Sequence, residues 1–391
     1  MIRTGILAFD RMIGGGVPKG KGALFSLGLG VEGQQFLFSA LKSARRQERR
    51  CLVVVPHATR DAFLAGFAGT PYRVEAGTGI EFFDASVFEE IDAGRAATPE
   101  SEAGIWEERV DTVLEEHAID AVFLYSNRLC DALGTCRALR LFVDLCAARG
   151  VTLFVEYLNL YDDRHLEEIR ATVPFDLVVT AGEGFGNHMF LNYFRVEQVS
   201  WMDIPSRPLP FVVHEDGRLV PQIPKIVVTG PMDAGKTTFI RTVSKMWVSS
   251  DHEGLSGTPT TVAMDFGNPA VTCSGFEINL FGTPGQEHFG PIIRHLLTNA
   301  TGVVFMVDGS SARGLDGAQG MLAHVLALDV PFVVGVNRKD RPGEIGEEVV
   351  RERIGIPEGV PVISFSARKR DEATAVVDAL VGLIVHGQST E

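Results

Sequence analysis

Short apolar runs alternate with longer segments of helical period along the whole chain. The runs fall at 23–27, 51–55, 121–124, 152–155, 177–179, 225–228, 276–280, 302–307, 331–336 and 360–363. Many are rich in β-branched residues and bounded by Gly, Asp, Asn or Pro, the pattern of strands buried on both faces. Between them, apolar positions recur at three- and four-residue spacing over 34–46, 107–117, 136–148, 236–247 and 373–385, which predicts helices there. Strand and helix alternating in this way predict an α/β architecture with mainly parallel sheets.

The alternation is interrupted near residue 221. Pro205, Pro208, Pro210, Pro221 and Pro224 crowd this stretch, and Asp216-Gly217 between two apolar triplets reads as a hairpin turn. The expected boundary therefore separates domains 1–220 and 221–391, joined by a short, stiff linker over 221–224. Residues 89–108 are acidic and Ala-rich and are expected to form a surface loop. Arg45, Arg46, Arg49 and Arg50 close a predicted helix, where cations complement the dipole; a docking patch is the alternative.

Composition narrows the function. The 391 residues carry 36 Lys and Arg against 50 Asp and Glu, a net charge of -14. The excess is shared: 22 basic against 31 acidic residues up to position 220, and 14 against 19 beyond it. Neither part offers a broad basic groove, which argues against nucleic acid as a partner. Five cysteines without a CxxC pair, and ten histidines without HxxxH or HExxH, argue against disulfide and zinc frameworks and suit a reducing cytoplasm. The N-terminus lacks a signal-peptide core, and no run reaches 18 apolar residues, so no membrane span is expected.

Chemistry enters at GPMDAGKTT, Gly230–Thr238, which fits GxxxxGK[ST]. The segment follows the apolar run KIVVT and opens a predicted helix, the context a phosphate-binding loop requires. Its glycines let the backbone curl so that N–H groups face phosphate oxygens, and the helix dipole adds positive potential. Lys236 is then placed for the β- and γ-phosphates and the Thr237 hydroxyl for Mg²⁺. Gly230, Asp233, Ala234, Gly235 and Thr238 complete the loop.

Four motifs follow in order. PTTVAMDFG at 259–267 resembles the first switch of Ras, Rab and Arf GTPases, and LFGTPGQEHF at 280–289 resembles their second. NRKD at 337–340 resembles their guanine-reading NKxD, and SAR at 366–368 their SAK loop. The resemblance covers about 224–388 and looks most like the prokaryotic, MglA-related branch. It implies a GTP/GDP site with Mg²⁺. Thr261 corresponds to the switch threonine, a second metal ligand beside Thr237. Gly285 would donate its N–H to the γ-phosphate, and Gln286 would orient the attacking water. Asn337, Arg338 and Asp340 would read guanine, whose N1 and N2 hydrogens suit a carboxylate acceptor. Ser366, Ala367 and Arg368 would close on the base, with the Ala367 N–H meeting the guanine oxygen.

Two positions depart from the pattern. Gly282 stands where the family has a metal-associated Asp, and Asp265 and Asp308 are the carboxylates available to replace its charge, although solvation or capping suits both better. Arg338 replaces Lys, with an aliphatic stem that can still cover a base.

Residues 4–27, TGILAFDRMIGGGVPKGKGALFSL, are similar to the opening of KaiC- and RecA-like ATPases, and the likeness extends to the hairpin before residue 220. The chemical positions have changed. The loop Gly28–Gln35 keeps the glycine spacing but has Gln34 and Gln35 for Lys and Ser/Thr. His57 and Ala58 stand where a Glu pair is expected, and Tyr125 where an Asp is. The resemblance therefore implies a pseudo-ATPase, serving as a scaffold, as a docking module, or as a nucleotide binder without catalysis.

Together the two resemblances imply tandem, doubly wound P-loop NTPase-type domains. The expected function is a GTP-binding switch that hydrolyses GTP slowly; the alternative is a non-catalytic, nucleotide-binding assembly protein. Regulator or effector proteins, a KaiC-like ATPase or a second copy of the chain are the expected partners.

Overall fold

The computed structural model describes residues 1–28, 30–31, 33–55, 60–66, 69–70, 73, 79–84, 99–125, 135–159, 163–186, 189–248, 251–253, 259–261, 265–271, 274–284, 295–310, 315, 317–337 and 345–386. The chain divides into two compact units, Met1–Pro221 and Gln222–Glu391.

The first unit runs α1 (Leu7–Met12), β1 (Gly22–Gly28), α2 (Gln35–Arg46), β2 (Cys51–Val55), α3 (Arg60–Ala65), β3 (Ile80–Asp84), α4 (Pro99–Glu116), β4 (Ala121–Tyr125), α5 (Thr135–Arg149), β5 (Thr152–Asn159), α6 (Asp163–Thr172), β6 (Leu177–Gly186), β7 (Met189–Val199) and β8 (Leu209–Val213). Its strands lie in the order β3-β2-β4-β5-β1-β6, all parallel, followed by antiparallel β7 and β8. Every residue of β2 and β4 is buried, as expected where helices cover both faces. One face carries the aliphatic core that includes Leu24, Val122, Val155, Val178 and Ile169. The other carries Phe9, Phe25, Phe36, Phe194 and Phe211, whose rings meet at centroid distances of 5.5 to 6.3 Å.

The opening motif is a structural device. Asp10 accepts hydrogen bonds from the Thr4 N–H at 2.6 Å, the Thr4 hydroxyl at 2.8 Å and the Gly5 N–H at 3.1 Å. Burial raises the Asp10 pKa in spite of these donors, so the Thr-Gly…Asp signature ties down the N-terminal segment. The arginine cluster is partly engaged within the fold. Arg45 donates to the Gly79 carbonyl at 3.2 Å, Arg50 to that of His117 at 3.1 Å, and Arg49 lies 3.6 Å from Asp120.

The second unit continues with β9 (Leu219–Thr229), α7 (Lys236–Val243), β10 (Met246–Val248), β11 (Asp251–Glu253), β12 (Pro259–Thr261), β13 (Asp265–Val271), β14 (Glu277–Gly282), β15 (Gly302–Asp308), α8 (Ala318–Leu326), β16 (Phe332–Asn337), α9 (Glu347–Ile354), β17 (Val362–Phe365) and α10 (Arg370–His386). Its sheet order is β10-β13-β14-β9-β15-β16-β17, parallel from β14 onward. β15 and β16 are buried along their whole length.

Three expectations need correction. The 236–247 helix stops at Val243: Ser244 is extended, and Met246–Val248 pairs with β13 instead. Pairing with an open sheet edge outweighs one more helical turn. Residues 99–108 are helical rather than a loop, with Pro99 at the first helical position, where its missing N–H costs nothing. The residues read as a linker, Pro221–Pro224, lie inside β9. The hairpin at Asp216-Gly217 forms as expected: Gly217 has φ 83°, and the His214 N–H donates to the Arg218 carbonyl at 2.9 Å.

Candidate functional site

The loop Gly230–Thr238 leaves the C-terminal end of the central strand β9 and enters α7. This is the edge at which open α/β sheets hold ligands. Its curl rests on two glycines. Gly230 has φ 140° and Gly235 φ 93°. A Cβ at Gly230 would strike the Met306 carbonyl, and one at Gly235 the Asn337 amide. Asp233 also takes a positive φ, 62°. The Ala234 N–H donates to the Pro231 carbonyl, and Gly235, left-handed at the helix start, accepts from the Phe239 N–H at 2.9 Å.

Lys236 is buried, and its Nζ donates to the carbonyls of Gly230 at 2.9 Å and Pro231 at 2.8 Å. The ammonium thus lies in the concavity of the loop that its backbone encloses. Thr237 and Thr238 are half-buried in the first turn of the helix.

Asn337, at the end of β16, joins two motifs far apart in sequence. Its Nδ2 donates to the Ala234 carbonyl at 2.9 Å, and its Oδ1 accepts the Ala367 N–H at 2.9 Å. Ser366 and Ala367 are buried and Arg368 is exposed. One contributor was not anticipated from the sequence: Glu372, in the first turn of α10, accepts the Ser366 N–H at 2.8 Å and Lys369 Nζ at 3.2 Å. The signal for it was an acidic residue at a helix N-terminus, six positions beyond Ser366. A second such contact joins Thr283 to Thr229, hydroxyl to hydroxyl, at 2.8 Å.

The switch positions are placed only in part. Thr261 ends β12, which pairs with β11 as a two-stranded hairpin ahead of β13. Gly282 is buried at the end of β14. In the β13–β14 register Asp265 stands directly opposite Gly282. Asp308 ends β15, and its Oδ1 accepts the Ser310 N–H at 2.9 Å, a turn cap. Gly285, Gln286, Arg338 and Asp340 lie outside the described residues, as do His57 and Ala58.

The arrangement suits a phosphorylated ligand with a divalent cation. The loop is curled, its lysine is in place, a hydroxyl follows it, and the glycine positions admit no side chain. Among the described residues no group of three His, Cys, Asp or Glu side chains could hold a metal by itself. A Mg²⁺ that keeps several waters and leans on phosphate oxygens needs no such group.

The matching loop of the first unit differs. Gln34 is exposed at the start of α2, and Gly33 packs where a Cβ would meet Leu27. Gln35 Oε1, the Tyr125 hydroxyl and Glu156 Oε2 are buried without hydrogen-bond partners. Tyr125 and Glu156 are register partners on β4 and β5. Burial pushes the Glu156 carboxyl up to about 7 and holds Tyr125 well above its usual range, helped by Glu156.

Comparison with known proteins agrees with the second unit's geometry. Residues 217–381 match the ADP-ribosylation factor family. Translation initiation factor IF-2 of Oleidesulfovibrio alaskensis is 28% identical over 184 residues, which are 47% of this chain and 17% of that protein. IF-2 of Mesomycoplasma hyopneumoniae strain 7448 is 26% identical over 239 residues, 61% of this chain and 36% of that protein. The chain thus spans about a sixth to a third of these relatives. Among solved structures, a KaiC-like protein of Pyrococcus horikoshii matches at 15% identity and a TM-score of 0.45, covering 56% of this chain and 97% of its own. The region of this likeness, 217–381, is the one that contains the Gly230–Thr238 loop. No helix among the described residues is long and apolar enough to cross a membrane.

Proposed function

We propose that the chain is a guanine-nucleotide switch, in which the C-terminal domain binds and slowly hydrolyses GTP and the N-terminal domain transmits its state to partner proteins. The observation that carries this reading is Asn337. Its side chain fastens the phosphate loop at Ala234 to the 366–368 loop at Ala367, so the elements for phosphate and for base form one rigid cradle.

Within that cradle Lys236 compensates the β- and γ-phosphate charge, and the backbone N–H groups of Asp233 to Thr238 accompany it. Thr237 and Thr261 are the metal-holding hydroxyls; Mg²⁺, when bound, neutralises charge between the phosphates. Gly285 senses the γ-phosphate, and Gln286 orients the attacking water. Asn337, Arg338 and Asp340 select guanine, with Ser366, Ala367 and Arg368 behind them. Hydrolysis releases the second switch from Gly285, which is the signal. The sequence offers no internal arginine finger, so turnover is slow without a regulator.

The N-terminal domain is read as a pseudo-ATPase that docks partners, a KaiC-like ATPase or a second copy of the chain among them. Gln34, Gln35 and Tyr125 replace the groups that ATP hydrolysis requires. A second reading, a non-catalytic assembly protein, draws support from Gly282, which brings no carboxylate to the metal side.

The test is nucleotide extraction from the purified chain, then thermal unfolding with GDP or ADP and turnover of GTP and ATP on the same sample. GDP should raise the Tm with its concentration and ADP much less. Equal stabilisation by both removes the guanine assignment. GDP binding with no GTP turnover under any condition favours the assembly protein.

A further inference from the structure

A second site lies in the first unit, on the sheet face opposite the aromatic cluster. Along β1, β5 and β6 this face is apolar at first, with Leu24, Val155 and Val178 packed in the aliphatic core. Further along the same strands, two and four residues on, it turns polar, and small except at the buried Tyr157: Ser26 and Gly28 on β1, Tyr157 and Asn159 on β5, Thr180 and Gly182 on β6. Strand register places these positions side by side, with Ser26 beside Thr180 and Gly28 beside Asn159. Arg195 and Tyr193 on β7 face Thr180 and Gly182 in the next register. The loss of side-chain volume under α6 leaves a cavity of about 470 Å³, with Arg170 and Glu167 of α6 at its rim. That volume is within the usual range for small-ligand sites, at the strand ends where α/β sheets place them.

The wall has polar capacity that the fold does not use. Among the described residues, Asn159 Oδ1 and Arg195 Nε are buried atoms that make no hydrogen bond, a capacity that a ligand or water can meet. Arg195 Nε forms an ion pair at 4.0 Å with Glu197, which lines the same cavity and also accepts from the Thr180 hydroxyl at 2.9 Å and the Ser206 hydroxyl at 3.3 Å; the Arg195 side chain is itself 40% exposed. At Gly182 the room is taken by a neighbour: a Cβ there would press on the Tyr193 hydroxyl, so the Tyr193 ring packs across that position.

We infer that this cavity binds a small anionic metabolite bearing hydroxyl or amino groups, its acidic group held by Arg195 and Arg170 and its donors and acceptors met by Asn159, Tyr193 and Glu167. The site is separate from the phosphate loop at Gly230–Thr238 and does not rest on the reading of that loop.

The test uses the full chain in equilibrium dialysis and thermal unfolding with four probes. AMP and glucose 6-phosphate carry phosphate; gluconate and glutamate carry carboxylate. At least one should bind saturably below about 1 mM, an affinity of a few kcal/mol, and the pair to which it belongs identifies the acidic group. Arg195→Gln should weaken that binding about tenfold or more. Arg170→Gln, at the exposed rim, should weaken it without disturbing the fold, and Lys236→Ala should leave it unchanged. No binding by any of the four overturns the proposal. So does binding indifferent to both arginine substitutions, or binding lost with Lys236→Ala.

Discussion

The chain contains two strand–loop–helix turns with the same glycine spacing, and they do different things with it. At Gly230–Thr238 the loop curls around an ammonium: Lys236 reaches two of its carbonyls, and Gly235 is pressed against Asn337. At Gly28–Gln35 there is no cation to enclose. Gly33 packs against Leu27. Buried atoms without hydrogen bonds among the described residues of this unit include Gln35 Oε1, the Tyr125 hydroxyl and Oε2 of Glu156, whose carboxyl ionises only near 7. A glycine pattern is thus a statement about backbone shape, which helix–strand packing can require with no phosphate to bind. What separates the two loops is the charge placed inside the curl.

The largest expected break in this comparison is Lys236→Ala. Guanine-nucleotide binding should fall below detection in dialysis, while Gln34→Lys with Gln35→Thr should yield no ATP turnover, since Tyr125 still occupies the metal-side position. ATP turnover that survives Lys236→Ala would show the first loop to be active.

Next comes Asn337→Ala. It strands the Ala234 carbonyl and the Ala367 N–H, at about 1–3 kcal/mol for each buried group. Chemical denaturation should show the second unit destabilised by that order, with GDP affinity lost alongside. Loss of affinity at unchanged stability would limit Asn337 to ligand contact. Gln286→Leu sharpens the picture differently: GTP turnover should slow tenfold or more, an effect of about 1.4 kcal/mol or above on the barrier, with GDP affinity nearly unchanged.

The last expected effect is on pH. The Glu156 carboxyl is raised in the folded state from 4.5 to about 7. Between those values the unfolded chain has lost the proton and the folded one keeps it, so stability falls as pH rises through this window and levels off above it. The shift is worth up to about 3 kcal/mol. Glu156→Gln should flatten this dependence and raise the Tm at pH 8. A variant with the same slope would place the titration elsewhere.

The sequence alone determined the architecture and the position of the Gly230–Thr238 loop. Buried parallel strands must be apolar on both faces, so β2, β4, β15 and β16 were legible as runs. The phosphate loop was legible because its chemistry is local: glycine, lysine and threonine act within nine consecutive residues. Where competition between distant segments decided, the pattern failed. Residues 246–248 have a helix-compatible period, and only an open edge on β13 makes them a strand. Thr229 gave no motif, since its partner Thr283 is brought to it by the fold. The cavity beneath α6 was invisible for the same reason. A Ser, an Asn, a Thr and an Arg on four strands mean nothing until sheet register aligns them on one face, and alternation along each strand says which residues share a face but not which strands are neighbours.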